Sequence, residues 1–232
     1  MRTLSSVDFL DMWERGATLH PVDRGLVVLH TALSDRYEDL ADWPLGRRNQ
    51  ALAELRCSCF GPRMEALTAC PRCAEKLEFQ MDARALAAPC SRVEGSIAVN
   101  GQSFRLPTSR DLARAARETD PHLAAVRLME ACFLGDKEAP AWPEQEIDEV
   151  GEQMALADPM AEIRLTLDCP ACGNQWDETL DIASFFWTEI AARAKRLLRE
   201  VHTIASAYGW SEREILSLSE ARRNLYLEMA EA

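Results

Sequence analysis

The feature that most constrains this chain is a pair of short cysteine motifs, Cys70-Pro-Arg-Cys73 and Cys169-Pro-Ala-Cys172, one in each half of the sequence. Two cysteines separated by two residues on a tight turn can aim both thiolates at one tetrahedral ion. A fold that joins the two motifs must bring residues 74–168 back to where they started. Proline in the second position pre-sets each turn, and Gly173 permits the left-handed backbone such a turn needs. The surroundings repeat as well. Cys73 is followed by Leu77, a strand and Asp82, and Cys172 by Trp176, a strand and Asp181; each aspartate falls nine residues after its cysteine. A knuckle–strand–aspartate unit present twice predicts a pseudo-symmetric zinc ribbon, with one structural Zn2+ per chain held by Cys70, Cys73, Cys169 and Cys172. Both aspartates precede segments able to start a helix, where N-capping is the expected role.

Other uses of the cysteines fit less well. A local site built from Cys57, Cys59, Cys70 and Cys73 leaves Cys169 and Cys172 without partners, and a C-x-C pair on a helix points its side chains apart. Redox chemistry at a C-x-x-C needs a βαβ setting that neither motif has. With four thiolates on the ion no position stays open for water, so a structural site is expected, and removal of the metal is expected to unfold the chain. Cys90 and Cys132 read as small buried hydrophobes.

At 232 residues, 47% of them apolar and 28% charged, the composition is that of a soluble globular protein able to build its own core. The formal charge of −12 argues against a nucleic-acid-binding surface. From Phe185 onward seven basic and seven acidic residues balance, so the excess lies upstream. An acidic body with a neutral, arginine-studded tail suits docking to another protein. Arg193, Lys195, Arg196 and Arg199 form the best basic cluster and read as a solvated helical face. The N-terminal residues lack the apolar run of a signal peptide, and no stretch is long enough to span a membrane, so the cytoplasm is expected. In that compartment eight cysteines imply metal or free thiols rather than disulfides. No H-E-x-x-H, G-x-S-x-G or glycine-rich phosphate loop is present, and no enzyme is expected.

The periodicities predict an α+β chain, mostly helical, with a small zinc-ribbon-like β-region joining N-terminal helices to a C-terminal helical unit. Three segments are expected: helical residues 1–66, a zinc-ribbon β-region with inserted helices over 67–182, and helical residues 183–232. Ser6, Phe9, Leu10 and Trp13 outline a first helix ended by Gly16. Pro21 opens a second with Leu26, Leu29, His30 and Leu33 on its face. After a turn with Pro44 and Gly46, a third carries Ala51, Leu52, Leu55 and Cys59. Leu77–Met81 and Ile163–Leu167 alternate as strands, and Asn100-Gly101 marks a hairpin. Thr108 with Asp111 resembles a capping box, helices follow near Leu123–Phe133 and Glu144–Ala157, and Gly135–Pro143 reads as a connection. After Asp181 a long apolar face runs from Phe185 to Ala205 and stops at Gly209. Ser211 with Glu214 caps a brief helix, and Ser219 a last one.

The most distinctive text lies in that tail. Phe186-Trp187-Thr188-Glu189, Leu198-Arg199-Glu200-Val201-His202, Ala207-Tyr208-Gly209-Trp210-Ser211-Glu212, Glu214-Ile215-Leu216 and Arg222-Arg223 through Tyr226-Leu227-Glu228 follow in order. Over Asp181 to the end the chain resembles the T-even-phage-type baseplate hub assembly chaperone family, which also occurs in extracellular contractile injection gene clusters. Trp13-Glu14-Arg15-Gly16 and Phe60-Gly61-Pro62-Arg63 resemble its zinc-containing members. The resemblance implies a non-catalytic baseplate assembly factor or minor component whose partners are hub or spike-proximal proteins. The zinc-ribbon middle departs from the phage form, so no role transfers to it. Tyr208, Trp210, Arg222, Arg223 and Tyr226 are the partner-binding candidates, of the types that anchor interfaces, although the aromatics would serve equally to pack the last helices together. The alternative from another class is a zinc-ribbon adaptor binding nucleic acid or transcription machinery, which a basic stripe around the knuckles would favour.

Overall fold

The computed structural model describes residues 2–33, 36–87, 95–135 and 140–231; Cys90 and part of the Gly135–Pro143 connection lie outside them. Helix α1 (Ser6–Gly16) begins where the Ser5 hydroxyl accepts from the Asp8 N–H at 3.2 Å and the Asp8 carboxylate takes the Ser5 N–H at 2.7 Å. Helix α2 (Pro21–Leu33) starts on its proline as predicted, but its apolar face is wider than the stripe of Leu26 and Leu29. Val27, Val28 and Ala32 are buried too, because α1, α4 (Leu45–Phe60), α9 (Ile182–Tyr208) and a short unanticipated α3 (Tyr37–Ala41) all pack against it. Gly46, expected in a turn, sits in the first turn of α4. Its N–H donates to Asp158 Oδ2 at 2.8 Å, and any Cβ there would collide with that carboxylate.

Three antiparallel hairpins supply the strands of the described residues: β1 (Arg63–Ala69) with β2 (Lys76–Asp82), β3 (Ser96–Val99) with β4 (Gln102–Arg105), and β5 (Ile163–Asp168) with β6 (Gln175–Leu180). Asn100 and Gly101, at φ 50° and 77°, turn the middle hairpin, the pairing that matches strand twist. A one-turn α5 (Arg84–Ala87) follows β2, and after the middle hairpin come α6 (Ser109–Ala115), α7 (Pro121–Cys132) and α8 (Glu144–Ala157). Asp111 closes the box at α6, accepting from the Thr108 N–H at 2.9 Å and hydroxyl at 2.7 Å. Gly209, at φ 68°, terminates α9, and α10 (Glu212–Ser217) and α11 (Glu220–Glu231) fold back along it.

The molecule is thus a mostly helical α+β protein, and its described residues form two cores. Met12, Leu26, Leu29, Leu52 and Leu55 share the larger with Phe186, Trp187, Ile190, Ala194 and Leu197 of α9. Val99, Phe104, Met129, Cys132, Ile147, Val150 and Met154 form the smaller, under the middle hairpin. Packing therefore divides the chain differently from sequence order: most of α9 belongs with the N-terminal helices.

Candidate metal centre

Each cysteine pair occupies the tip of a hairpin, and the two tips are built alike. In the first, the Cys70 N–H donates to the Glu75 carbonyl at 2.9 Å and the Ala74 N–H to the Cys70 carbonyl at 2.9 Å. In the second, Cys169 N–H meets the Asn174 carbonyl at 2.8 Å and Gly173 N–H the Cys169 carbonyl at 2.9 Å. Ala74 and Gly173 hold the same left-handed backbone, φ 60° and 68°. Strands flank each knuckle on both sides, so the repeat is a whole hairpin. Asp181 accepts from the N–H groups of Ala183 and Ser184 at 3.0 and 3.2 Å, capping α9. Asp82 accepts from the Arg84 N–H at 2.9 Å.

The tips meet. Cys70 Sγ lies 3.8 Å from Cys172 Sγ and Cys73 Sγ 3.6 Å from Cys169 Sγ, and all four sulfurs fall within 4.8 Å of one another. Metal–sulfur bonds of about 2.3 Å in a tetrahedron require sulfur–sulfur edges of about 3.8 Å, so the cluster has the dimensions of a four-thiolate site. Cys70 and Cys169 are buried, Cys172 half-buried and Cys73 exposed. Thr68 Oγ1 ties the hairpins together beside the cluster, donating to Glu178 Oε2 at 3.2 Å.

Electrostatics say what such a cluster lacks. Burial raises the Cys70 thiol, but the N–H groups of Cys73 and Arg72 outweigh it and bring the group down to about 7. The Glu75 N–H pulls Cys73 down, yet burial and the three neighbouring sulfurs prevail and push it up to about 12. Four thiolates this close cannot all ionise against one another, and a bound cation removes the conflict. An ion held by all four sulfurs keeps no position for water, the arrangement of a structural site.

The remaining described cysteines stay apart. Cys57 and Cys59 lie half-buried on the last turns of α4, where burial raises both thiols, Cys59 to about 11. Cys132 is buried in the smaller core and likewise pushed up to about 11.

The tail residues divide. Tyr208, Trp210 and Tyr226 pack on one another, with ring centroids 4.8–5.6 Å apart, and Tyr208 Oη donates to the Tyr226 carbonyl at 3.2 Å. All three are half-buried, and Arg222 is exposed. Arg223, expected at a partner surface, is 1% exposed. Its Nε meets Glu200 Oε2 at 3.1 Å and its Nη1 the Leu218 carbonyl at 2.7 Å, so it joins α11 to α9.

Arg48 and Arg56 are buried as well, and Arg56 makes the longest-range ion pair of the described residues. Arg56 on α4 grips both Glu189 oxygens at 2.6 and 2.9 Å and donates to the Gly61 and Arg63 carbonyls at 2.6 and 2.8 Å. It fixes the entrance of the first knuckle hairpin onto α9. No local spacing announces either arginine pair.

Fold and cluster together define a mostly helical α+β protein with four cysteines placed close enough to hold one metal ion. Compared with family models, curated proteins and solved structures, the chain shows no significant match.

Proposed function

We propose that this chain is a non-catalytic assembly factor or minor component of a contractile baseplate, acting in the cytoplasm on a hub or spike-proximal subunit, with one structural zinc holding its two cysteine hairpins together. The observation that carries the reading is that the scattered segments of the family resemblance contact one another. A Cβ on Gly16 would collide with the Trp187 indole, so Trp13–Gly16 sits against Phe186–Glu189. Arg56 joins Glu189 to the Gly61 and Arg63 carbonyls of Phe60–Arg63. Glu200 pairs with Arg223, and Tyr208 and Trp210 with Tyr226. The segments that carry the resemblance thus lie against one another instead of being scattered over the fold.

The adaptor reading needs a basic stripe around the knuckles. The two cysteine hairpins, residues 63–82 and 163–181, carry four basic and eight acidic side chains, which favours protein partners over nucleic acid. No helix among the described residues is long and apolar enough to cross a membrane.

The test is a pull-down with the tagged chain from cells assembling the machine. Hub or spike-proximal subunits are the expected catch; nucleic acid or polymerase subunits in their place would overturn the reading. Elemental analysis settles the ion, since tetrahedral sulfur sites accept iron as well as zinc. One zinc per chain is the expected result.

A further inference from the structure

A cavity of about 660 Å³ opens between residues 2–6, the C-terminal end of α4, the middle of α9 and the α10–α11 junction. Its volume lies in the range of ligand-binding pockets. The walls divide by chemistry. Leu4, Phe9, Leu55, Phe60, Leu216 and Leu218 make an apolar side. Arg2, Arg193, Arg196 and Arg223 bring four guanidinium groups against one lining carboxylate, Glu220, in a chain of net charge −12. Asp8 and Glu200, outside the lining, pair with Arg2 and with Arg223 and Arg196, so four arginines face three carboxylates in all.

Arg223 is the decisive residue. It lines the cavity with Nε and Nη1 satisfied, while its Nη2, covered by neighbouring atoms, has no acceptor among the described residues. A buried guanidinium N–H left unpaired is costly, and nothing in the local helix geometry supplies the missing acceptor. Glu220 shows what fits. Its carboxylate meets Arg193 Nη1 at 2.9 Å and lies 3.6 Å from Arg196 Nη2 at the rim.

We propose that this cavity binds a carboxylate-bearing peptide segment of a protein partner. The acidic side chain reaches the arginines, and a neighbouring apolar side chain lies against Leu4, Phe9 and Leu216. Glu220 at the rim repels a dianionic phosphate more than a single carboxylate, and the apolar wall offers nothing to a small polar acid. The site stands whether or not the chain serves a baseplate.

Three probes test it on the full chain by amide NMR: acetyl-Leu-Asp-Leu amide, its Asn counterpart, and inorganic phosphate. The Asp peptide is expected to shift signals from residues 2–6 and 216–220. Its affinity should exceed that of the Asn peptide by at least about tenfold, the worth of one charge-assisted hydrogen bond. Arg196→Gln, at a side chain more than half exposed and safe for folding, should weaken the Asp peptide while leaving the spectrum otherwise unchanged. Equal binding of the two peptides, shifts confined to other regions, no shift with either, or phosphate displacing the Asp peptide at equal concentration would each overturn the proposal.

Discussion

Ala74 and Gly173 hold equivalent places in the two knuckles, yet only one of them is the residue that the left-handed turn prefers. A side chain in that conformation costs roughly 1–2 kcal/mol, part of which glycine returns through its greater freedom in the unfolded chain. Ala74→Gly should therefore stabilise the protein by about 0.5 kcal/mol, and Gly173→Ala should destabilise it by about 1 kcal/mol. Urea melts with metal bound read both, and a loss of stability in Ala74→Gly would deny the equivalence of the turns. Asp111 gives a pH-dependent case. Burial alone would raise its pKa, but Arg105, with Nη1 at 2.6 Å, and the Thr108 N–H and hydroxyl outweigh it and hold it below the ordinary range. A depressed carboxylate contributes stability above its unfolded pKa, near 4, and loses it as pH falls through the folded value. Asp111→Asn should cost about 3 kcal/mol at pH 7, and its deficit against the wild type should narrow as pH falls below the ordinary carboxylate range and through the depressed folded value. A pH-independent deficit would assign the effect to shape alone. At this scale legibility follows distance along the chain. The cysteine spacing, the Thr108 box and the Asp181 cap are written within a few neighbouring residues. Arg56 and Glu189 are 133 residues apart, and Arg223 and Glu200 are 23, so nothing near either one marks its partner.

Among elements, α9 organises the rest: it packs on α1, α2 and α4 and carries α10 and α11. Its long apolar face is plain in the sequence because burial repeats at helical spacing from Phe186 to Ile204. Strand β1 was not legible. Its inward positions are Met64, Ala66 and Thr68, while Leu67 points outward at 74% exposure, which reverses the alternation that would mark a strand. The width of α2's buried face was also hidden, since the contacts that bury Val27 and Val28 come from elements remote in sequence. The packing of α1 against α9 rests on Gly16 leaving room for Trp187. Gly16→Ala should cost about 2 kcal/mol by overpacking. Trp187→Phe shortens the ring and opens that space, so the double variant should be more stable than the summed single costs by about 1 kcal/mol. A double-mutant cycle in urea measures the coupling, and strict additivity would mean the helices do not meet at this point.

For the whole molecule, the position of the cysteine cluster relative to the cores decides what the metal does. A bond through the ion from Cys70 to Cys172 closes a loop spanning 102 residues. On a chain-entropy model such a closure removes about 4–5 kcal/mol of freedom from the unfolded state. The cluster nevertheless lies outside the larger core, whose buried residues come chiefly from α1, α2, α4 and α9 and include none of the four ligands. That placement changes the expectation drawn from sequence, where loss of metal meant loss of fold. A strong chelator should release one ion per chain and lower the urea midpoint markedly, while at 25 °C most of the far-ultraviolet helical signal persists. Cys172→Ser should reproduce the chelated state. Cys132→Ser, a hydroxyl placed in the smaller core, should cost about 1 kcal/mol and leave the metal content intact. Should helical signal and metal disappear together, the clasp rather than the packing of α9 would be what keeps the two halves of the chain folded.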